Sequence, residues 1–116
     1  MASLSIRIDF GPDIRMGPGK IALLERLGEL GSISAAGKSM GMSYRRAWEL
    51  IADLNATFDR PLVHAKVGGR RGGGTVLTEF GRELVTRYRA IEREAEKAAG
   101  QHLRALDRSL ADRAGT

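Results

Sequence analysis

Residues 31–58, GSISAAGKSMGMSYRRAWELIADLNATF, decide the fold of this chain. They predict a short helix, a tight turn at residues 41–42 and a second, longer helix. Ser32 or Ser34 is placed to cap the first helix and Ser43 the second, because a serine hydroxyl accepts a bond from an unpaired backbone N–H one turn in. A short helix, a turn with glycine and a longer helix form the helix-turn-helix motif.

The second helix has one apolar and one charged face. Apolar residues recur at helical spacing and predict the face that packs on the core, Trp48 included: Tyr44, Ala47, Trp48, Ile51, Leu54 and Phe58. The opposite face carries Arg45, Arg46, Glu49 and Asp53. In a helix-turn-helix the second helix lies in the major groove of DNA, with its N-terminal residues at base edges. That turn holds Ser43, Tyr44, Arg45 and Arg46.

Several roles remain open for these four residues. Arg45 and Arg46 contact bases and phosphates, or they simply form a solvated helix face. Ser43 is primarily a helix cap, although its hydroxyl can also donate a hydrogen bond to a phosphate. Tyr44 contacts a phosphate or a thymine methyl, or it lies at the edge of the core.

Gly37 lies inside the first helix of this motif, where glycine is less favourable than alanine by about 1 kcal/mol. We expect the second helix to approach so closely there that a Cβ would clash.

The N-terminal part predicts a strand and a helix. Residues 3–10 alternate between apolar and polar, which is typical of a half-buried strand. Pro18 suits the first turn of a helix that ends near Leu30, before the helix-stopping Gly31. Its predicted buried stripe is Ile21, Leu24, Leu27 and Leu30.

A glycine-rich hairpin follows the helix-turn-helix. Strands at residues 62–67 and 75–77 flank the loop GGRRGGG at residues 68–74. A phosphate-binding P-loop is rejected, because its lysine and the helix after it are missing. A hairpin at this point is a wing, whose cations would contact DNA phosphates or the minor groove: Lys66, Arg70 and Arg71.

A long helix is predicted from Glu79, capped by Thr78, to about Arg113, with a kink or break at Gly100. Its apolar residues follow a spacing close to a heptad: Phe80, Leu84, Tyr88, Ile91, Ala95, Ala98, Leu103, Leu106 and Leu110. So small a domain cannot bury this whole stripe, so we expect a second subunit to cover it in a homodimer. The predicted parts are residues 1–78, a winged helix-turn-helix, and residues 79–116, a dimerisation helix with a frayed end.

Positive charge is concentrated in the predicted DNA-facing parts. The net charge is +5 and the pI about 10.2, which favours a polyanionic partner. No acid occurs between Glu29 and Glu49, where Lys38 adds a candidate phosphate contact, or between Asp59 and Glu79.

Other classes of function find little support. The chain has no cysteine, and its two histidines, His64 and His102, have no ligand spacing, so we expect neither a metal site nor another cofactor. No nucleophile with a base is evident, so we expect no enzyme. Without a signal peptide or a long apolar run, the expected location is the cytoplasm, with no membrane partner.

The motifs GSISAAGKSMGMSYRRAWELIADLN, GGRRGGG and LTEFGREL resemble the N-terminal DNA-binding domain of the ModE family of molybdate-responsive transcriptional regulators, over roughly residues 21–91. The segment GSISAAGKSMGMS is also similar to the helix-turn-helix of the LysR family. The ModE resemblance implies a winged helix, a homodimer built through the long helix, and a palindromic operator. ModE proteins continue into a molybdate-binding domain, whereas this chain stops at Thr116, so molybdate is not an expected ligand of this chain.

The sequence therefore predicts a mainly α fold with a small β-hairpin. The predicted function is that of a dimeric, sequence-specific transcriptional regulator that binds double-stranded DNA. The alternative is a winged-helix module for protein–protein interaction.

Overall fold

The computed structural model describes residues 1–66 and 74–111. Four strands and four helices occur in this part of the chain: β1 (Ile8–Gly11), β2 (Ile14–Met16), α1 (Pro18–Leu30), α2 (Ile33–Ser39), α3 (Tyr44–Thr57), β3 (Val63–Ala65), β4 (Thr75–Leu77) and α4 (Glu79–Arg108). The predicted class, a mainly helical winged helix-turn-helix with a long last helix, is confirmed.

Helix α1 lies at the centre, against α2, α3, α4 and β4. It begins and ends as predicted, and Gly31 terminates it in the left-handed conformation with φ of 78°. Leu23, outside the predicted stripe, is buried because α1 is covered on more than one side. The expected burial of Leu30 was wrong: its side chain is half exposed, because it lies in the last turn, at the margin of the packed core.

The helix-turn-helix consists of α2, the turn at Gly41 and α3. Ser32 caps α2 by accepting a bond from Ala35 N, and Ser43 caps α3 by accepting one from Arg46 N. The expected close approach at Gly37 is confirmed, since a Cβ there would lie 2.8 Å from Ala47 Cβ.

The apolar face of α3 is narrower than predicted. Ala47, Ile51 and Leu54 are buried, but Trp48 is 51% exposed, so its assignment to the core was wrong. Consecutive helical residues lie about 100° apart, so Trp48 falls outside the stripe that Ala47 and Ile51 define. Tyr44, on the same side one turn earlier, is also exposed.

The N-terminal strand is shorter than predicted and has a partner. It covers Ile8–Gly11 instead of residues 3–10, and it pairs antiparallel with Ile14–Met16, a strand that sequence reasoning missed. The three residues of this second strand lie between two glycine–proline breaks, and a run of three residues is too short to show a period of two. The alternating residues 3–7 extend along α4 instead, where Leu4 N donates to Glu96 Oε1 and Tyr88 Oη donates to Ile6 O.

The wing begins as an antiparallel pair with Val63 opposite Leu77. Its first strand, Val63–Ala65, is shorter than the predicted 62–67, of which residue 67 lies outside the described part. The glycine-rich loop, with Arg70 and Arg71, also lies outside it, apart from Gly74. Thr75 N donates to Gly31 O at 2.9 Å, which fixes the base of the wing to the end of α1.

Helix α4 is 30 residues long, about 45 Å at 1.5 Å per residue, and it ends at Arg108, so the predicted end near Arg113 was wrong. Thr78 caps it as predicted: its Oγ1 accepts a bond from Gly81 N. The helix runs through Gly100 without the predicted break, and its apolar face is covered in the first half only. Leu84 and Tyr88 are buried, whereas Leu106 and Leu110 are exposed.

An ion-pair network joins α1 to α4. The Arg89 guanidinium donates to Glu25 at 2.5 Å and to Glu92 at 2.7 Å, and these hydrogen bonds raise the pKa of Arg89 above its usual value. The partly buried network therefore holds the first half of α4 in place, and with it the β4 strand that leads into α4.

Candidate nucleic-acid interface

The N-terminal turn of α3 is an exposed platform. Ser43, Tyr44, Arg45 and Arg46 are all exposed, and behind them Ala47 packs against Gly37 of α2. Ser43 Oγ accepts the bond from Arg46 N at 3.1 Å, so this hydroxyl is an acceptor in the cap and still has its proton to donate. A rigid backbone with exposed polar side chains is what base recognition requires.

The two arginines of this turn differ in their surroundings. Arg45 Nε lies 3.2 Å from Glu49 Oε1, one turn along the exposed face of α3, and the Arg45 side chain is 90% exposed. A solvated pair of this kind stabilises a helix by only about 0.3–0.5 kcal/mol. A stronger anionic partner would therefore displace Glu49 at little cost. Arg46 forms no ion pair with any described residue.

The remaining candidate contacts flank this turn. Lys38 is exposed near the end of α2 and Lys66 just after β3. Lys66 N donates to Gly74 O at 2.8 Å, so the wing still pairs at this point. Arg70 and Arg71 lie outside the described residues, so their predicted position in the interface stays a prediction.

The exposed ring of Trp48 is the one candidate on α3 that sequence reasoning assigned elsewhere. Tyr44 and Trp48, one turn apart, form an aromatic strip beside the charged turn. The exposure follows from the width of the buried stripe, which depends on how much of α3 the other helices cover. The periodicity itself therefore gave no signal for it.

Among the described residues there is little support for a metal site, a catalytic site or a membrane span. Among them, no three His, Asp or Glu side chains are grouped as a metal ion would need. The titratable groups with shifted pKa values, Tyr88 and Arg89, lie in the contact between α4 and the body of the protein, where burial raises the pKa of Tyr88. In the part of the chain that the structure describes, no helix is both long and apolar enough to cross a membrane.

Comparison with known proteins supports the resemblance noted in the sequence. MopB of Rhodobacter capsulatus, a molybdenum-pterin-binding protein, is 41% identical over 93 residues, which are 80% of this chain and 34% of MopB. The molybdenum transport protein ModE of Azotobacter vinelandii is 41% identical over 98 residues, 84% of this chain and 36% of the relative. The DNA-binding transcriptional dual regulator ModE of Escherichia coli K12 is 38% identical over 81 residues, 70% of this chain and 31% of the relative.

This chain spans about a third of the length of the curated relatives it matches. The expectation that it is no enzyme agrees with relatives named as regulators. A model of bacterial regulatory helix-turn-helix proteins matches residues 19–82, which contain the whole helix-turn-helix, the wing and the start of α4. Since this match covers more than half of the chain, the chain belongs to the lysR family of bacterial regulatory helix-turn-helix proteins.

Proposed function

We propose that this chain binds double-stranded DNA at specific sequences and regulates transcription. The observation that carries the proposal is the exposed, capped turn of residues 43–46, supported by the close contact between Gly37 and Ala47. The cationic composition and the membership in a family of regulatory helix-turn-helix proteins support it. A DNA partner in a bacterium would place the chain in the cytoplasm.

In this proposal the turn of α3 enters the major groove. Arg45 is the best candidate for contact with a guanine, because its side chain is 90% exposed and its partner Glu49 is easily displaced. Tyr44 and Ser43 lie close enough to contact the same stretch of the groove. Phosphate contacts would come from residues around this turn and in the wing: Lys38, Arg46, Lys66, Arg70 and Arg71.

The second half of α4 is the proposed dimer contact. Ile91 and Leu106 are exposed on this helix of about 45 Å, much of which extends past the core, and Leu110 is exposed just past its end. Exposed leucines near the end of a helix are best covered by a matching helix from a second copy. Residues 1–78 would then form the DNA-binding part and residues 79–116 the dimerisation part. Residues 43–46 of each copy, the reading turn, would face one of the two half-sites of a palindrome.

The names of the relatives give molybdenum-pterin binding, molybdenum transport and DNA-binding transcriptional regulation for those proteins. Because this chain matches only about a third of each, we extend to it the DNA-binding role alone. The alternative role as a protein–protein interaction module is not favoured, because it leaves the cationic, capped turn without a purpose.

Selection of bound duplexes from a random pool would test the function. The expected result is an enriched palindrome, with half-sites about one helical turn or a multiple of it apart. Fluorescence anisotropy with the selected duplex and a shuffled control then measures specificity. Arg45→Ala should lower the preference for the selected duplex by about 1–3 kcal/mol if the contact is bidentate.

Arg26→Ala, which removes an exposed cation of α1 that pairs with a glutamate on its own helix, is the matched control and should keep the preference. Absence of enrichment, together with weak binding of all duplexes at physiological salt, would contradict the proposal and favour the interaction module.

A further inference from the structure

A cationic groove lies beside the exposed turn of residues 43–46. It has a volume of about 360 Å³ and lies between the N-terminal hairpin, the start of α1 and the start of α3. Four cations line it, and three of them belong to elements that the sequence analysis did not connect with DNA: Arg7, Arg15, Lys20 and Arg46.

The fold brings these cations together from distant parts of the sequence. Arg7 immediately precedes β1, and Arg15 lies on β2 opposite Asp9. Lys20 lies in the first turn of α1, where its Nζ donates to Arg15 O at 2.8 Å. This bond holds the ammonium near the β2 backbone, yet leaves it two further protons to donate.

Nearby acids neutralise only part of this charge. Asp9 pairs with Arg7 at 2.8 Å. Asp13 and Asp53 line an adjoining pocket together with Arg15 and Lys20, but neither forms an ion pair with them within 4.0 Å. Among the described residues, Arg15, Lys20 and Arg46 form no ion pair at all. The groove therefore retains positive charge that can bind an external anion.

The groove has apolar walls as well as cationic ones. Pro18, Met42 and Leu50 contribute to its lining, and its exposed surface is more apolar than polar. A deoxyribose-phosphate chain has the matching chemistry, since its sugars contact apolar side chains while its phosphates accept bonds from arginine and lysine.

We infer that this groove binds the sugar-phosphate backbone of DNA at the edge of the major groove that α3 enters. In this arrangement Arg46 is a phosphate ligand that works with Arg15 and Lys20, whereas the charge of Arg7 is compensated by Asp9. Arg45, which does not line the groove, is the base-reading arginine. The inference rests on the proposed function and assigns separate roles to the two adjacent arginines.

Salt dependence of DNA binding tests the groove. Each phosphate contact contributes about 0.9 to the slope of log affinity against log salt concentration. Arg15→Ala combined with Lys20→Ala should therefore reduce the slope by about 1.8 and weaken binding to specific and shuffled duplexes equally. The matched control, Arg26→Ala with Arg87→Ala, removes the same charge from cations that pair with acids on their own helices, and should keep the wild-type slope.

Circular dichroism would show whether the double variant is folded. If it is not, Arg15→Gln and Lys20→Gln preserve much of the side-chain length, and each should lower the slope by about 0.9. The division of roles predicts that Arg45→Ala reduces discrimination between specific and shuffled duplexes roughly 5- to 150-fold, whereas Arg46→Ala weakens both alike.

The outcomes separate this inference from the proposed function. If the wild-type chain binds no duplex even at low salt, the proposed function fails. If it binds but the groove variants keep the wild-type slope, only the groove inference fails. A titration with inorganic phosphate distinguishes a free-anion site: tight binding that Arg15→Ala and Lys20→Ala abolish, with unchanged DNA slopes, would overturn the assignment to DNA. Equal loss of discrimination in Arg45→Ala and Arg46→Ala would overturn the division of roles.

Discussion

Replacement of Gly37 by alanine should destabilise the protein, although alanine is the better helix former. An alanine Cβ at this position would lie 2.8 Å from Ala47 Cβ, and 3.5 Å from both Met42 Cγ and Met42 O. Two carbon atoms are in favourable contact at about 3.5–4.0 Å, so α2 and α3 would have to separate by roughly 1 Å at this point. The helices cannot separate freely, because the turn at Gly41 joins them.

Two opposing effects set the size of the change. Alanine gains about 1 kcal/mol over glycine inside a helix. Overpacking of a well-packed core costs about 1–3 kcal/mol, and here the clash involves a buried residue on a second helix. We therefore expect a net loss of about 1 kcal/mol in the free energy of unfolding, which would lower Tm by about 4–8 °C in a domain of this size.

Urea unfolding measures this change, and two further variants isolate its cause. Gly19→Ala is the matched control, because Gly19 is also helical but has no atom within 4 Å of an added Cβ, so this variant should be neutral or slightly stabilised. Ala47→Gly should restore part of the lost stability in the Gly37→Ala protein while destabilising the wild type. That opposite sign is the signature of a direct contact in a double-mutant cycle.

The same variant should also weaken DNA binding, because a displaced α3 carries residues 43–46 away from their positions. If Gly37→Ala proves as stable as Gly19→Ala, the close contact does not limit the structure and the reasoning is refuted.

Three further predictions concern the long helix and the exposed tryptophan. Tyr88→Phe removes the bond to Ile6 O and should cost about 1 kcal/mol at pH 8. In the folded protein the pKa of Tyr88 is raised above 10.0, so the stability that its hydroxyl contributes is present below pH 10 and is lost as pH rises through the folded pKa. The difference in urea unfolding between wild type and Tyr88→Phe should therefore shrink in strong alkali. A constant difference would contradict the role assigned to this hydrogen bond. Glu25→Gln should lower the stability by only about 1 kcal/mol in thermal unfolding, because Glu92 still pairs with Arg89. High salt should reduce this loss, since it screens the ion pair. If the variant loses no stability at low salt, the ion-pair network does not stabilise the contact of α1 with α4. Trp48 is the only tryptophan and half exposed, so its fluorescence should shift or be quenched when DNA covers α3, and an unchanged spectrum at saturating duplex would place the interface elsewhere.

Much of the fold could be predicted because it depends on local signals. Serine and threonine caps, the left-handed Gly31 and the regular spacing in α1 and α3 act within one or two turns of chain. The helix ends that these signals predict agree with the structure. The short β2 strand had no such signal, because its pairing partner and not its own composition stabilises it.

Burial was harder to predict than helix position. A periodic pattern gives the direction of the buried face of α3 but not its width, and for this reason Trp48 was assigned to the core. The same limit applies to Leu30 at the end of α1 and, in the opposite direction, to Leu23. Each depends on how many neighbouring elements cover the helix, which is a property of the assembled domain.

The sequence by itself determined the helix-turn-helix, the caps, the close contact at Gly37 and the candidate reading turn of residues 43–46. All of these follow from interactions between residues close along the chain, or from the small size of a glycine. Only the tertiary structure decided which aromatic rings are exposed, how far α4 extends past the core, and that Arg7, Arg15 and Lys20 meet Arg46 in one groove. These features arise from contacts between segments far apart in sequence, whose relative positions are set only when α1 packs at the centre of the domain.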